Sequence, residues 1–166
     1  CMLESGIEPY MNLCHFDMPY ELQKKYGGWE DKHVGDLFAK FADKCFELYG
    51  DRVKHWFTFN EPKVIVEGAY LYKFHYPLKV DGPLAVQVTY NINLASAKAI
   101  QKFRARFNDD EHTVGIILNL TPAYPRSNEP ANLEAAEFAN LWCVDLWLQA
   151  AIKGTFPEKI VKILTE

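Results

Sequence analysis

The sequence predicts an α/β fold in which about three strand–helix units build part of a parallel sheet. Three short runs of strand length are each followed by a longer segment whose apolar residues show helical spacing. The strands are almost continuously apolar, which is typical of strands buried on both faces and joined by right-handed crossovers. A chain of 166 residues with 49% hydrophobic and 24% charged content can bury one such core. We therefore interpret residues 1–166 as one partial domain.

The first unit begins with a predicted strand from Ile7 to Cys14, which ends in the polar cluster His15-Phe16-Asp17. From Gly35 to Gly50 the apolar residues recur every three or four positions, which predicts a helix that ends at Gly50. The polar residues of this unit thus follow the C-terminal end of its strand.

The second unit has a predicted strand from His55 to Asn60, rich in aromatic and β-branched residues and followed by Glu61-Pro62. Residues Glu67 to Pro83 are rich in tyrosine and proline and lack periodicity, which predicts a loop or lid. A helix is predicted from Leu84 to Phe107, with one apolar stripe formed by Leu84, Val88, Ile92, Ala95, Ala99 and Phe103.

The third unit has a predicted strand from Val114 to Leu120 and a long amphipathic helix from Glu134 to Ile152, closed by Gly154 and Pro157. No glycine-rich phosphate turn of the G-x-G-x-x-G type follows any strand, so a barrel is favoured over a dinucleotide-binding sheet. The predicted strands start at residues 7, 55 and 114, at spacings of 48 and 59. Eight such units need roughly 430 residues, so we predict a part of a (β/α)8 barrel.

Composition excludes several classes of protein. The net charge of -4 and the pI of about 5.8 give no basic surface for nucleic acid. No apolar run is long enough to span a membrane, and the start lacks a signal-peptide pattern. The cysteines at positions 1, 14, 45 and 143 form no C-x-x-C pair, which predicts reduced, mostly buried thiols and no metal site. Because the chain starts at Cys1 and not at Met, we expect it to be cropped from a longer polypeptide.

Candidate site residues follow two of the predicted strands. In a (β/α)8 barrel the working side chains come from the C-terminal ends of strands, where this chain has His15, Asp17, Asn60 and Glu61. Each of them also has an ordinary structural interpretation. A glutamate after a strand often starts a helix, Asn60 could cap a turn, and His15 could be a hydrogen-bonded strand-end histidine.

The stretch Thr58-Phe59-Asn60-Glu61-Pro62 resembles the T-F-N-E-P signature of glycoside hydrolase family 1, which is highly specific. Further similar stretches occur in the family's order across essentially the whole chain: Gly6–Pro9, His15–Pro19, Tyr26–Trp29, Gly50–Val53, Val114–Ile116 and Gly154–Pro157. The resemblance places the chain at barrel strands three to five. Ser96 stands where the family commonly has histidine, and we expect no effect on catalysis from this difference.

The resemblance implies a retaining β-glycosidase in which Glu61 is the acid/base carboxylate. By the same resemblance, Asn60 binds the sugar 2-hydroxyl and His15 binds another hydroxyl of that ring. The family's nucleophile is a glutamate near the end of strand seven, and no T-E-N-G stretch occurs in this sequence. We therefore expect the nucleophile to lie outside the chain and the isolated chain to be inactive. The resemblance implies no cofactor and no metal.

The substrate is left open by the sequence. The runs Glu67–Pro77 and Leu118–Pro125 look most like bacterial 6-phospho-β-glycosidases, which favours a cytoplasmic enzyme acting on 6-phosphosaccharides. A plain β-glucosidase or β-galactosidase is the alternative, and the chain by itself could be a non-catalytic carbohydrate-binding fragment. Uncovered apolar surface predicts self-association of the isolated chain. Aromatic residues that could stack on a sugar, most of them expected to be packing or lid residues, are Trp29, Tyr70, Tyr72, Phe74, Tyr76 and Tyr124.

Overall fold

The computed structural model of the chain describes residues 2–165, with side chains up to residue 162. The chain divides into two compact units that meet in sequence between Ile117 and Leu118. The first unit contains strands β1 (Tyr10–Asn12), β2 (His55–Asn60) and β3 (Thr113–Ile117) and helices α1 (Tyr20–Tyr26), α2 (Lys32–Tyr49), α3 (Pro62–Tyr70) and α4 (Gly82–Arg106). The second unit contains α5 (Pro130–Asn140), α6 (Leu146–Lys153) and α7 (Glu158–Thr165), with a π-helical turn at Leu141–Asp145.

The three strands form one parallel sheet in the order β1-β2-β3. Met11 pairs with Trp56, and Trp56 pairs with Val114, so the middle strand is also the middle one in sequence. The predicted α/β class and the parallel pairing are confirmed. Strand β1 is shorter than the predicted run from Ile7, because Pro9 has no N–H with which to extend the hydrogen-bonded ladder.

Helices α2 and α4 pack together on one face of the sheet. The α2 helix begins earlier than predicted because the Asp31 carboxylate accepts a hydrogen bond from the backbone N–H of His33 at 2.8 Å. Asp81 caps α4 in the same way through the N–H of Leu84 at 3.0 Å. A Cβ on Gly35 would lie 3.3 Å from the Cβ of Ala95, so this glycine permits the close approach of the two helices. Five of the six residues of the predicted α4 stripe are buried: Val88, Ile92, Ala95, Ala99 and Phe103.

Helices α1, α3 and α7 were not predicted from the sequence. The loop predicted from Glu67 to Pro83 is wrong at its start, because α3 continues to Tyr70 and irregular backbone follows only from Leu71. Pro62 suits the first helical position, and the helix buries a continuous apolar face that outweighs the weak helix propensity of its β-branched residues.

The second unit is held by polar contacts of its own. The Asn140 side-chain amide donates to the backbone C=O of Ala123 and accepts from its N–H, both at 2.8 Å. Lys159 forms an ion pair with Glu137 at 2.6 Å. Trp147 is buried, and the predicted helix from Glu134 to Ile152 is interrupted by the π-helical turn.

The cysteine thiols described in the structure are reduced, as predicted. Cys14 and Cys45 are buried and Cys143 is half-buried, while Cys1 lies outside the described residues. Burial raises the pKa of the Cys14 thiol to about 12, with a smaller contribution from the nearby Asp17 carboxylate. The thiol of Cys14 is therefore neutral and unreactive at neutral pH.

Candidate active site at the strand ends

Backbone hydrogen bonds bring the C-terminal ends of the three strands to one level. The N–H of Asn60 donates to the C=O of Cys14 at 2.9 Å, which connects the end of β2 to the end of β1. The N–H of Glu61 donates to the C=O of Ile117, also at 2.9 Å, which connects β2 to β3. The predicted site residues of two separate strands therefore lie at the same edge of the sheet.

Asn60 and His15 are in direct contact. The side-chain Nδ2 of Asn60 lies 3.2 Å from Nε2 of the His15 ring. With the amide donating, Nε2 is the acceptor, which puts the proton of the neutral ring on Nδ1. Asn60 is half-buried and His15 is exposed, so the pair presents polar groups at the open edge of the sheet.

Glu61 occupies a strained backbone conformation directly after the strand. Its φ of 44° and ψ of 58° lie in the left-handed region, which non-glycine residues rarely adopt. The backbone is held on both sides, because its N–H bonds to Ile117 and its C=O accepts from the N–H of Val64 at 2.9 Å. The carboxyl group belongs to a half-buried residue at the start of α3. Strain of this kind is typical of functional positions.

Strand β2 carries a β-bulge immediately before these residues. Phe57 pairs with Gly115 and Asn60 with Ile117, so three steps along β2 match two steps along β3. The extra residue changes the face of the sheet toward which the side chains after the bulge point. Asn60 consequently reaches His15 at the open edge.

The turn after β1 places an aromatic residue beside the pair. Asp17 accepts a hydrogen bond from the His15 N–H at 2.7 Å, and Phe16 takes a positive φ of 68°. The Phe16 ring contacts the His15 ring edge-on at 4.9 Å and the His75 ring at 5.4 Å. No sequence pattern associates His75 with the site, because Phe16 and His75 lie on different irregular segments. The segment predicted as a lid does reach the site edge through this contact.

The aromatic sugar-stacking candidates fall into two groups. Trp29 and Tyr70 are buried and serve packing, as the sequence analysis expected. The exposed candidates are Tyr72, Phe74, Tyr76 and Tyr124. Within the described part of the chain, no group of three or more His, Cys, Asp or Glu side chains is arranged to hold a metal ion. No helix among the described residues is long and apolar enough to cross a membrane.

A parallel α/β sheet with a carboxylic acid and polar partners at the C-terminal ends of its strands has the layout of a barrel enzyme's active edge. The family comparison is specific: residues 1–166 match the family model of glycosyl hydrolase family 1, and the chain belongs to that family. The family prediction from the T-F-N-E-P stretch is confirmed.

Individual relatives agree with this assignment. The chain is 51% identical to the 6-phospho-beta-glucosidase GmuD of Bacillus subtilis over 98% of its own length and 34% of the relative's. It is 34% identical to beta-glucosidase A of Thermotoga maritima, over 99% of the chain and 36% of that protein. The solved structure of the Thermotoga maritima beta-glucosidase with deoxynojirimycin matches with a TM-score of 0.89 at 33% identity, covering 97% of this chain and 36% of that one.

The chain thus spans about one third of the length of the curated relatives it matches. Its fold is the corresponding part of the (β/α)8 barrel, which confirms the predicted architecture. The structure brings Asn60 and His15 into contact, and Glu61 follows Asn60 directly in sequence at the same edge of the sheet.

Proposed function

We propose that this chain is part of the catalytic domain of a retaining β-glycoside hydrolase acting on 6-phospho-β-glycosides, with Glu61 as the acid/base. The observation that carries the proposal is the placement of Glu61 at the C-terminal end of β2, directly after the Asn60 that contacts His15. Family membership and the catalytic position of strand ends in barrels both support it.

The chemistry follows from the needs of a retaining glycosidase. Glu61 protonates the glycosidic oxygen while a second carboxylate attacks the anomeric carbon, and Glu61 then takes a proton from the water that releases the sugar. The two carboxyl groups must lie about 5 to 5.5 Å apart, so that the second can bond directly to the sugar. In this proposal the nucleophile is supplied by sequence outside residues 1–166.

Asn60 and His15 would bind hydroxyl groups of the sugar being transferred. The Asn60 amide is fixed by its contact with His15, so it can meet the 2-hydroxyl without first losing side-chain freedom. A hydrogen bond to that hydroxyl strengthens as positive charge develops on the ring in the transition state. In the tautomer that accepts from Asn60, His15 carries its ring proton on Nδ1 and can donate it to a neighbouring hydroxyl.

The phosphorylated substrate is favoured by the pattern of similarity. Identity to the Bacillus subtilis 6-phospho-beta-glucosidase is 51%, against 34% to beta-glucosidase A of Thermotoga maritima. A plain β-glucoside is the second candidate, because the similar solved structures from Thermotoga maritima and Micrococcus antarcticus are beta-glucosidases. Similarity to the Bacillus subtilis enzyme and the reduced, buried thiols of Cys14 and Cys45 also support a cytoplasmic location.

The isolated chain of residues 1–166 is proposed to be non-catalytic and at most a weak carbohydrate binder, because one carboxyl group cannot act as both nucleophile and acid/base. Strands β1 and β3 are edges of the described sheet, and exposed strand edges can pair with other chains. An apolar surface cavity of about 260 Å³ between α1, α2 and the segment that follows β1 adds uncovered surface, which includes Phe41. Self-association is therefore expected and is measurable by light scattering.

One kinetic experiment tests both the residue and the substrate. The full-length enzyme and its Glu61→Gln variant are assayed on aryl β-glucosides with a series of leaving groups, each with and without a 6-phosphate. The variant should lose about 10² to 10⁴-fold in rate for poor leaving groups and much less in glycosylation by activated ones, because a stable anion needs no proton to leave. The unmodified enzyme should prefer the phosphorylated series, since an empty phosphate pocket wastes charge-assisted hydrogen bonds.

The two parts of the proposal fail separately. An equal loss for every leaving group would remove Glu61 from the acid/base role. Comparable rates on phosphorylated and plain glycosides would refute the phosphorylated substrate while leaving the acid/base assignment intact.

A further inference from the structure

Two buried hydroxyl groups lie behind the candidate site, on the helix side of the sheet. The Oγ1 of Thr58 in β2 lies 2.7 Å from the Oγ of Ser96 in α4. Thr58 Oγ1 also donates to the backbone C=O of Gly115 in β3 at 3.2 Å. Thr58 is 0% exposed and Ser96 5% exposed, so the pair is shielded from water.

The number of hydroxyl protons limits which of the two residues can donate in the contact between Thr58 and Ser96. Each hydroxyl has a single proton, and Thr58 uses its own toward Gly115. Both hydrogen bonds can form together only when Ser96 is the donor to Thr58. The resulting relay runs from α4 through β2 to β3, and without the Thr58 hydroxyl the buried Ser96 hydroxyl would lose the partner it has in this structure.

The relay lies at the bulge in β2. Phe57 is the last residue before the register shift and Asn60 the first after it, so Thr58 belongs to the bulged stretch. Thr58 and the next residue, Phe59, both contact helices, since the Phe59 ring lies 4.7 Å from Phe38 of α2. Two successive residues of a regular strand would point to opposite faces, so their common direction is a product of the bulge.

The side chain of Glu61 depends on this backbone path. Among the described residues, Glu61 forms its hydrogen bonds through its backbone N–H and C=O. The position of its carboxyl group therefore depends on the strained backbone of Glu61 and on the contacts that hold the β-bulge before it. We propose that Thr58 and Ser96 are positioning residues, whose hydrogen-bonded hydroxyls fix the bulge that aims Asn60 and Glu61 into the site.

This inference rests on the proposed function and replaces the sequence-based expectation that Ser96 does not affect catalysis. A shift of about 1 Å in a catalytic group can reduce a rate by about a hundredfold, so a relay that holds the bulge has a kinetic consequence. If the bulge shifts, the displaced Glu61 carboxyl group should slow most the substrates whose leaving group needs protonation.

The test compares two isosteric substitutions in the full-length enzyme. Thr58→Val removes a hydroxyl of the relay, and Thr89→Val removes a buried hydroxyl of α4 that bonds within the helix, to the C=O of Ala85 at 2.9 Å. Ser96→Ala breaks the relay from its other side by deleting one oxygen, which keeps the test available if Thr58→Val does not fold. Thr58→Ser retains the hydroxyl. The readouts are kcat across a leaving-group series, the pH profile of kcat/KM, and Tm.

Thr58→Val and Ser96→Ala should lower kcat for poor leaving groups by about tenfold to a hundredfold, with a smaller loss for activated ones and an altered acidic or basic limb of the pH profile. Thr58→Ser should recover most of this loss. Thr89→Val should lower Tm while leaving both kinetic patterns unchanged. If Thr58→Val and Ser96→Ala lowered kcat equally for all leaving groups, and no more than Thr89→Val does, the relay would have only a packing role and the proposal would be wrong. Glu61→Gln measured in parallel separates this failure from a failure of the proposed function.

Discussion

Histidines lie at both ends of the sheet, and those at the N-terminal end contact polar partners through both ring nitrogens. At that end His55 bonds Thr113 through Nδ1 at 2.8 Å and Glu8 through Nε2 at 2.9 Å. Its ring also stacks on Tyr10 with centroids 4.4 Å apart. At the C-terminal end His15 is exposed, and its ring is held by Asn60 through one nitrogen.

A second histidine reinforces the N-terminal end. The Nδ1 of His112, which precedes β3, lies 2.8 Å from the Asp109 carboxylate, and its Nε2 lies 3.0 Å from the C=O of Gly50 and 3.2 Å from Nζ of Lys54. Its ring stacks on Phe107 at a centroid distance of 4.1 Å. The histidine rings at this end contact polar groups of the protein itself. They therefore contribute to stability and offer few free hydrogen-bonding atoms to a ligand.

The difference between the ends is the division of labour expected of a (β/α)8 barrel. At the C-terminal end, Glu61 has a left-handed backbone conformation, β2 has a bulge, and His15 is exposed. None of these features would be expected at an edge that served stability alone. The N-terminal end has closed networks on regular backbone. Substitutions at the two ends should therefore change different properties.

The largest expected contrast is between His15→Ala and His55→Ala in the full-length enzyme. His15→Ala should lower kcat/KM by about tenfold or more, because a hydroxyl-binding partner is lost, and should leave Tm almost unchanged. His55→Ala should lower the free energy of unfolding by about 1–3 kcal/mol, because its partners lose hydrogen bonds, with little effect on kcat/KM. Steady-state kinetics and thermal unfolding measure both. The comparison breaks down if the two variants lose activity and stability to the same extent.

A smaller effect is expected from the backbone strain at Glu61. Glu61→Gly and Glu61→Ala both remove the carboxyl group, but only glycine adopts a φ of 44° without steric strain. The glycine variant should therefore be more stable than the alanine variant by about 1 kcal/mol, with both equally impaired in catalysis. Denaturant unfolding measures the difference. Equal stability would mean that the left-handed backbone imposes no strain.

The smallest expected effect is a pH dependence at the N-terminal end. The hydrogen bond from His112 holds the pKa of Asp109 below its ordinary range. The fold therefore favours the carboxylate, and this stabilisation is present above the ordinary pKa and disappears as the pH falls through the lowered value. Asp109→Asn should lower Tm near neutral pH, and the difference from the unmodified protein should shrink in acid. Asp110→Asn, at the neighbouring exposed aspartate, is the control. A Tm difference that persists unchanged in acid would contradict the assignment.

Sequence reasoning predicted the strand from His55 to Asn60 with its correct ends, because aromatic and β-branched residues stop there at an acid and a proline. It missed α3, because the run Val64-Ile65-Val66 favours extended backbone and the helix depends on tertiary burial of that face. Strand β1 was predicted too long because apolar character continues through Pro9, which cannot donate to a ladder.

The candidate site was predicted in part. The strand-end rule and the family motif together indicated His15, Asn60 and Glu61, and the structure places all three at one edge of the sheet. The bulge before Asn60 could not be read from the sequence, because it is defined by pairing with a strand more than fifty positions away. Contacts such as that between Phe16 and His75 depend on how an irregular segment folds back, which no local pattern specifies.

The central claim is that Glu61 is the acid/base and not the nucleophile, and the most direct measurement is azide rescue of Glu61→Ala in the full-length enzyme. Azide needs no general base, so it can attack the glycosyl-enzyme from the face that Glu61 would serve. The account predicts that azide restores turnover of an activated aryl β-glycoside and that the product is the β-configured glycosyl azide. An α-configured product would make Glu61 the nucleophile, and an absence of rescue would remove it from the catalytic pair.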